Sequence, residues 1–167
     1  MRRTVCLLCL VILLSFFTGC GGSAGSGDSS SAGRPADGTA SEGEETGDSS
    51  MEERTIIIRV GGTAMTADLE DNDAAKAWLS MLPMTVTMSG YGGFEQVGPL
   101  GTELPQQDAR IRTSPGDIML YNGDQVVIFY GSNSWEYTRL GKIRDLGAEE
   151  LEEILGDGTI EVTFEKK

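Results

Sequence analysis

The chain has 167 residues, a formal net charge of -13 and no histidine. Without histidine there is no Ser-His-Asp triad, no usual zinc site and no imidazole base, and the acidity gives no electrostatic reason to bind nucleic acid. Its three cysteines, Cys6, Cys9 and Cys20, all fall in the first twenty residues, so the rest of the chain has no thiol for a disulfide, a metal or nucleophilic attack.

The N-terminus carries its own message. Met1, Arg2 and Arg3 precede an apolar run over 5–17, closed by Thr18-Gly19-Cys20. The run is shorter than the about 20 apolar residues of a membrane span and has the layout of an export signal. Phe17-Thr18-Gly19-Cys20 resembles a bacterial lipobox, with Phe17 where leucine is usual. That resemblance implies a signal over 1–20, a lipid on Cys20, and a bacterial cell-membrane anchor facing away from the cytoplasm. Segment 21–52 is rich in Gly and Ser, with acidic residues such as Asp28, Glu42 and Asp48. It cannot bury apolar surface and reads as a disordered acidic tether, spanning on the order of 30 Å.

A single domain is expected over 53–167. The β-branched run 55–60, the pair Gly61-Gly62 and the stretch 64–69 predict a hairpin. Asn72 or Asp73 caps a helix over 74–82, with Ala74, Ala77, Trp78, Met81 and Leu82 on one face and Pro83 as its stop. A strand over 84–88 follows. The stretch 89–117, rich in Gly and Pro, reads as a long irregular loop. Strands are expected over 117–121, 125–130 and 136–144, with a turn at Asn122-Gly123. A helix over 148–155 turns Ala148, Leu151, Ile154 and Leu155 inward, with Gly156 as C-cap, and a strand over 159–165 ends the chain. Many strands with two helices predict a mainly β domain, a closed barrel capped by the helices. Asp68, Asp71 and Asp73 lack calcium-loop spacing, and neither a metal set nor a phosphate-cradling glycine loop is present, so no metal or cofactor is implied.

The order of elements, together with Leu82-Pro83-Met84, Gly92-Gly93-Phe94-Glu95, Ser114-Pro115-Gly116-Asp117, Val127-Ile128-Phe129-Tyr130-Gly131 and Tyr137-Thr138-Arg139-Leu140-Gly141-Lys142-Ile143, resembles the bacterial cyclophilin-like domain family, small barrel proteins of largely unknown activity. The resemblance implies the cyclophilin-like barrel. It also implies a ligand pocket. Asn122-Gly123-Asp124-Gln125 and Trp135, ten residues past Gln125, match the pocket strand of true cyclophilins, which are peptidyl-prolyl isomerases. The family's pocket histidine falls at Tyr137, and its Gly-Phe wall and second glutamine at Gly93-Phe94 and Gln96. The pocket candidates are therefore Phe94, Gln96, Gln125, Val127, Trp135 and Tyr137; Trp135 and Phe94 are equally open to a packing role.

The catalytic arginine of those enzymes, five residues before Phe94, is replaced by Ser89. The peptide rotation barrier is about 18–20 kcal/mol, and an uncharged hydroxyl is a weaker donor to the prolyl nitrogen than a guanidinium. Arg110, Arg112 and Arg139 are the cations left to replace it. Three functions compete: a non-catalytic module for a peptide or small apolar ligand, a weak isomerase acting on exported chains, and a structural partner in an envelope complex. The first predicts an open apolar cleft without a cation, the second a guanidinium in the pocket, and the third a cleft filled by the protein's own side chains.

Overall fold

The structure is a computed structural model describing residues 52–167. The signal segment, Cys20 and the tether up to residue 51 lie outside the described residues. Among the described residues, nine strands and two helices follow in chain order: β1 Thr55–Val60, β2 Thr63–Leu69, α1 Asp73–Met81, β3 Met84–Tyr91, β4 Glu95–Pro99, β5 Ala109–Arg112, β6 Asp117–Tyr121, β7 Gln125–Phe129, β8 Ser134–Ile143, α2 Ala148–Leu155 and β9 Thr159–Lys166.

The strands pair in the order β2-β1-β9-β3-β4-β7-β6-β8, and β2 pairs again with β8. Eight antiparallel strands thus close into a barrel, and closure removes the unpaired edges an open sheet would leave. The ninth strand, β5, lies outside the ring on the first half of β8, pairing Ala109 with Tyr137 and Arg112 with Ser134. The mainly β capped barrel expected from the sequence is the observed fold.

Alternation along the strands builds the interior. Ile56, Ile58, Val86, Met88, Ile118, Leu120, Val126, Ile128, Val162 and Phe164 point inward and are buried in one cluster. Both helices enter it. Asn72 caps α1, its Oδ1 accepting from the Ala75 amide at 2.8 Å, while its Nδ2 donates to the Arg139 carbonyl at 2.8 Å and fixes the helix to β8. The helix ends because Pro83 pushes Leu82 into an extended conformation, φ -73 and ψ 143. The fully buried Trp78 meets the edge of Phe164, ring centroids 5.0 Å apart. From α2, Leu151 and Leu155 are buried and Ile154 packs partly against them. Ala148, expected inward, is exposed because it begins the first turn, still short of the barrel.

The stretch 89–117 departs most from expectation. It holds the end of β3 and all of β4 and β5. Strand β4, Glu-Gln-Val-Gly-Pro, has the composition of a loop yet pairs on both sides, with β3 and with β7. Its glycine is a packing requirement: a Cβ at Gly98 would lie 2.6 Å from Val86 Cγ1 and 2.9 Å from the Thr87 carbonyl oxygen.

Candidate functional site

The wall formed by β4, β7, β6 and β8 is apolar on both faces. Met119, Val127, Phe129 and Tyr137 alternate with the interior residues and form a second buried cluster on the outer side, joined by Phe94, Val97, Ile111 and Tyr121. A barrel strand whose outer face meets water would carry polar residues there. On this wall, side chains of β3, β4, β6, β7 and β8, with Asn133, line an open cavity of about 470 Å³ instead.

The cavity is built by strand register. Pairing sets Tyr91 beside Glu95 and Ser89 beside Val97 across β3 and β4, then Val97 beside Val127 across β4 and β7. Pairing of Gln125 with Tyr121, and of Trp135 with Ile111, completes the outward row. Tyr137 is the aromatic centre. Its ring meets the edges of Phe129 at 5.6 Å and Tyr121 at 6.0 Å, and Asn133 Nδ2 donates to its hydroxyl at 3.1 Å. Asn133 is itself held by Thr113, whose Oγ1 accepts from the Asn133 amide at 2.8 Å. Burial pushes the Tyr137 hydroxyl pKa up, and the charge of Glu95 adds to that. At the rim stand Tyr91, 68% exposed, and Trp135, 54% exposed, the two large apolar side chains left open among the described residues.

Glu95 is the exceptional group. It is 5% exposed, lines the cavity, and its Oε2 has no hydrogen-bond partner among the described residues. Desolvation raises its pKa from 4.5 to about 7. Among the described residues, no lysine or arginine lines the cavity. Arg110 and Arg112 pair with Glu136 and Ser134, so alternation sends them to the face of β5 opposite Ile111. Arg139 is committed elsewhere: its guanidinium lies 3.0 Å from the Asp117 carboxylate, which Lys142 also holds at 2.7 Å. Burial would raise the Asp117 pKa, but the Lys142 hydrogen bond, the Ser114 amide and the two positive charges outweigh it and hold the carboxyl below its usual range.

Of the residues singled out from the sequence, Gln125, Val127, Trp135 and Tyr137 line the cavity. Gln96 does not. It faces the interior, where its Nε2 is within hydrogen-bond distance of the carbonyls of Leu155 (3.1 Å), Gly156 (2.7 Å) and Gly158 (3.0 Å), tying β4 to the end of α2. Phe94 stands just before β4 and packs on the outer cluster, its ring over Gly92 and its Cβ side against Gly131, outside the cavity lining. Sequence reasoning missed Glu95, Tyr91, Val97 and Tyr121. The signal available was period-two alternation through 94–99, which places Glu95 and Val97 on one face and Gln96 on the other, and which Gly98 and Pro99 obscured. Ser89, at the position of the missing arginine, lines the cavity and pairs its hydroxyl with Thr159 Oγ1 at 3.1 Å.

Comparison with known proteins agrees with this architecture. The solution structure of the hypothetical protein AF2241 from Archaeoglobus fulgidus superposes with a TM-score of 0.53 at 18% identity, over 70% of this chain and 96% of that one, a likeness of fold alone. No curated protein matches the sequence. The model of the cyclophilin-like family matches residues 58–165, nearly the whole barrel, and the chain belongs to that family.

Proposed function

We propose that this is a non-catalytic binding module of the cyclophilin-like family, whose outer-wall cavity holds a small molecule or a peptide side chain. The observation that carries this reading is the cavity's composition: aromatic and apolar walls, a few oriented polar groups and no cation among its lining residues. Ligand sites generally have that make-up and a volume of about 300–1,000 Å³. Isomerisation needs a donor at the prolyl nitrogen as its amide resonance breaks. Ser89 supplies a neutral hydroxyl engaged with Thr159, and the arginines face elsewhere. A cavity of this volume also speaks against a vestigial site filled by the protein's own side chains.

The module works from a membrane anchor. The basic start, the apolar run and Cys20 support lipidation and export, and the Gly/Ser-rich segment after Cys20 supports a tether holding the barrel off the bilayer of a bacterial cell, outside the cytoplasm. The test of the binding reading is cis/trans exchange of an X-Pro peptide, followed by NMR with residues 21–167 at high protein concentration. A background rate is expected; clear catalysis would replace the binding reading with an isomerase. For the anchor, Cys20→Ala is expected to move the protein from the membrane fraction to the soluble one, and an unchanged distribution would overturn the lipid assignment.

A further inference from the structure

We infer that the cavity is a site for a small organic cation, an ammonium group walled by the rings of Tyr91, Tyr121, Trp135 and Tyr137 with the Glu95 carboxylate as its counter-ion. This deepens the binding reading and rests on it.

Three observations converge. The first is Glu95. A carboxyl buried to this degree is ordinarily paired, yet its Oε2 has no partner among the described residues, and the side chain lines the cavity. The equally buried Asp117, by contrast, accepts from the Ser114 amide and faces the Lys142 ammonium. Of the buried polar atoms that lack a partner among the described residues, Trp78 Nε1, Gln96 Oε1 and Glu95 Oε2, only the last belongs to an ionisable group, and only Glu95 lines the cavity. The second is the set of walls. The negative faces of tyrosine and tryptophan attract cations, and several such rings around one space form the cage by which ammonium groups are recognised. The third is charge. A chain of formal charge -13 draws cations towards it, and the cavity supplies no positive side chain to repel them.

The titratable groups around Glu95 are Tyr91 on β3, Tyr121 on β6, Tyr130 just past β7 and Tyr137 on β8. Burial pushes the hydroxyls of Tyr137 and Tyr130 up, that of Tyr130 to about 12 with its hydrogen bond to Asp157 adding to the rise, so both stay neutral near pH 7. Glu95 is therefore the group whose charge changes near neutrality, and a bound cation favours its ionised form. Cation affinity is expected to rise with pH through about 7 as Glu95 loses its proton.

The test uses probes of one shape and three charges, titrated into residues 21–167 and read by the backbone amide NMR signals of the cavity residues, which the variants retain. They are choline, its neutral isostere tert-butylethanol, and the anion of tert-butylacetic acid. N-acetyl-lysine methylamide serves as a fourth probe, to separate a free cation from a lysine side chain of a peptide. At about pH 8 choline is expected to bind about tenfold more tightly than its neutral isostere, with the preference falling below about twofold at about pH 5 and in Glu95→Gln at either pH. Glu95→Gln keeps the side-chain shape and removes only the charge, so it is expected to fold; Trp135→Ala, at an exposed rim position, is expected to weaken choline while leaving the barrel intact. Tighter binding of the lysine probe than of choline would assign the ammonium to a peptide side chain and still support a cation site. Equal binding of choline and its neutral isostere, or tighter binding of the anion, would overturn the cation assignment and leave the binding reading standing. Absence of binding by all four at millimolar concentration would overturn both.

Discussion

Two adjacent residues of β4 have opposite surroundings. Gln96 faces the interior and directs its amide nitrogen to three carbonyls at the end of α2, whereas Glu95 lines the outer cavity with a carboxylate oxygen that meets no partner among the described residues. Both are almost fully buried, Gln96 at 0% and Glu95 at 5% exposure. Burial alone therefore says nothing about role. What separates them is charge and surroundings: Gln96 Oε1 also lacks a partner among the described residues, but it belongs to a neutral amide anchored to α2, whereas Glu95 is an ionisable carboxyl that lines a cavity. An unsatisfied polar atom costs about 1–3 kcal/mol, more when charged, and a ligand that meets it removes that cost.

The same contrast holds along the rest of the wall and can be broken by mutation. The largest effect is expected from Ile128→Ala, which opens a hole in the packed interior and should cost about 2–5 kcal/mol in urea unfolding. Val127→Ala, one residue away on the cavity face, should cost clearly less, because the space beside it is already open. Equal losses at the two positions would mean that the outer face is packed like the core.

Next comes Glu95→Gln. The folded carboxyl has a pKa of about 7 against 4.5 for the ordinary value, so between these limits the folded state binds more protons than the unfolded one. Stability of the unmodified protein should therefore fall as pH rises through that window, by on the order of 2–3 kcal/mol, and stay lower above it. The glutamine variant should lack this fall and be the more stable of the two at about pH 8. A variant less stable than the parent at that pH would show that the carboxylate has a partner.

Gln96→Leu should be destabilising by about 1–3 kcal/mol, since it leaves carbonyls at the end of α2 without their shared donor. Hydrogen exchange should quicken at α2 and the start of β9 while the cavity signals stay in place. Movement of Trp135 instead would show that the two faces are coupled. Trp135→Ala should be the mildest, within about 0.5 kcal/mol, as expected of an exposed rim residue.

The sequence conveyed the barrel because its strands and helices carry local signals. The β-branched run of β1, the capping Asn72, the stop at Pro83 and the alternation of β9 each correspond to an observed element. Strand β5 was hidden because its partner β8 lies far along the chain, and β4 because its Gly and Pro mask a strand held between the neighbouring β3 and the distant β7. Gly98 is a strand residue because Val86 and Met88 crowd it, a fact written in β3 rather than in β4. The site was legible only in part. Gln125, Val127, Trp135 and Tyr137 were reached through the resemblance to the pocket strands of cyclophilins, while Glu95 and Tyr91 acquire meaning only once β3 and β4 are paired and a carboxyl is seen to line a wall without cations.

The most direct test of this account is the titration of Glu95 itself. Its side-chain carboxyl carbon, labelled with ¹³C and assigned by its loss in Glu95→Gln, can be followed by NMR across the acid and neutral range in the absence of ligand. A midpoint near 7 is predicted, the mark of a desolvated carboxyl facing no positive group. A midpoint near or below 4.5 would show a solvated or ion-paired carboxylate, and would contradict the reading of this wall as a site whose counter-charge comes from its ligand.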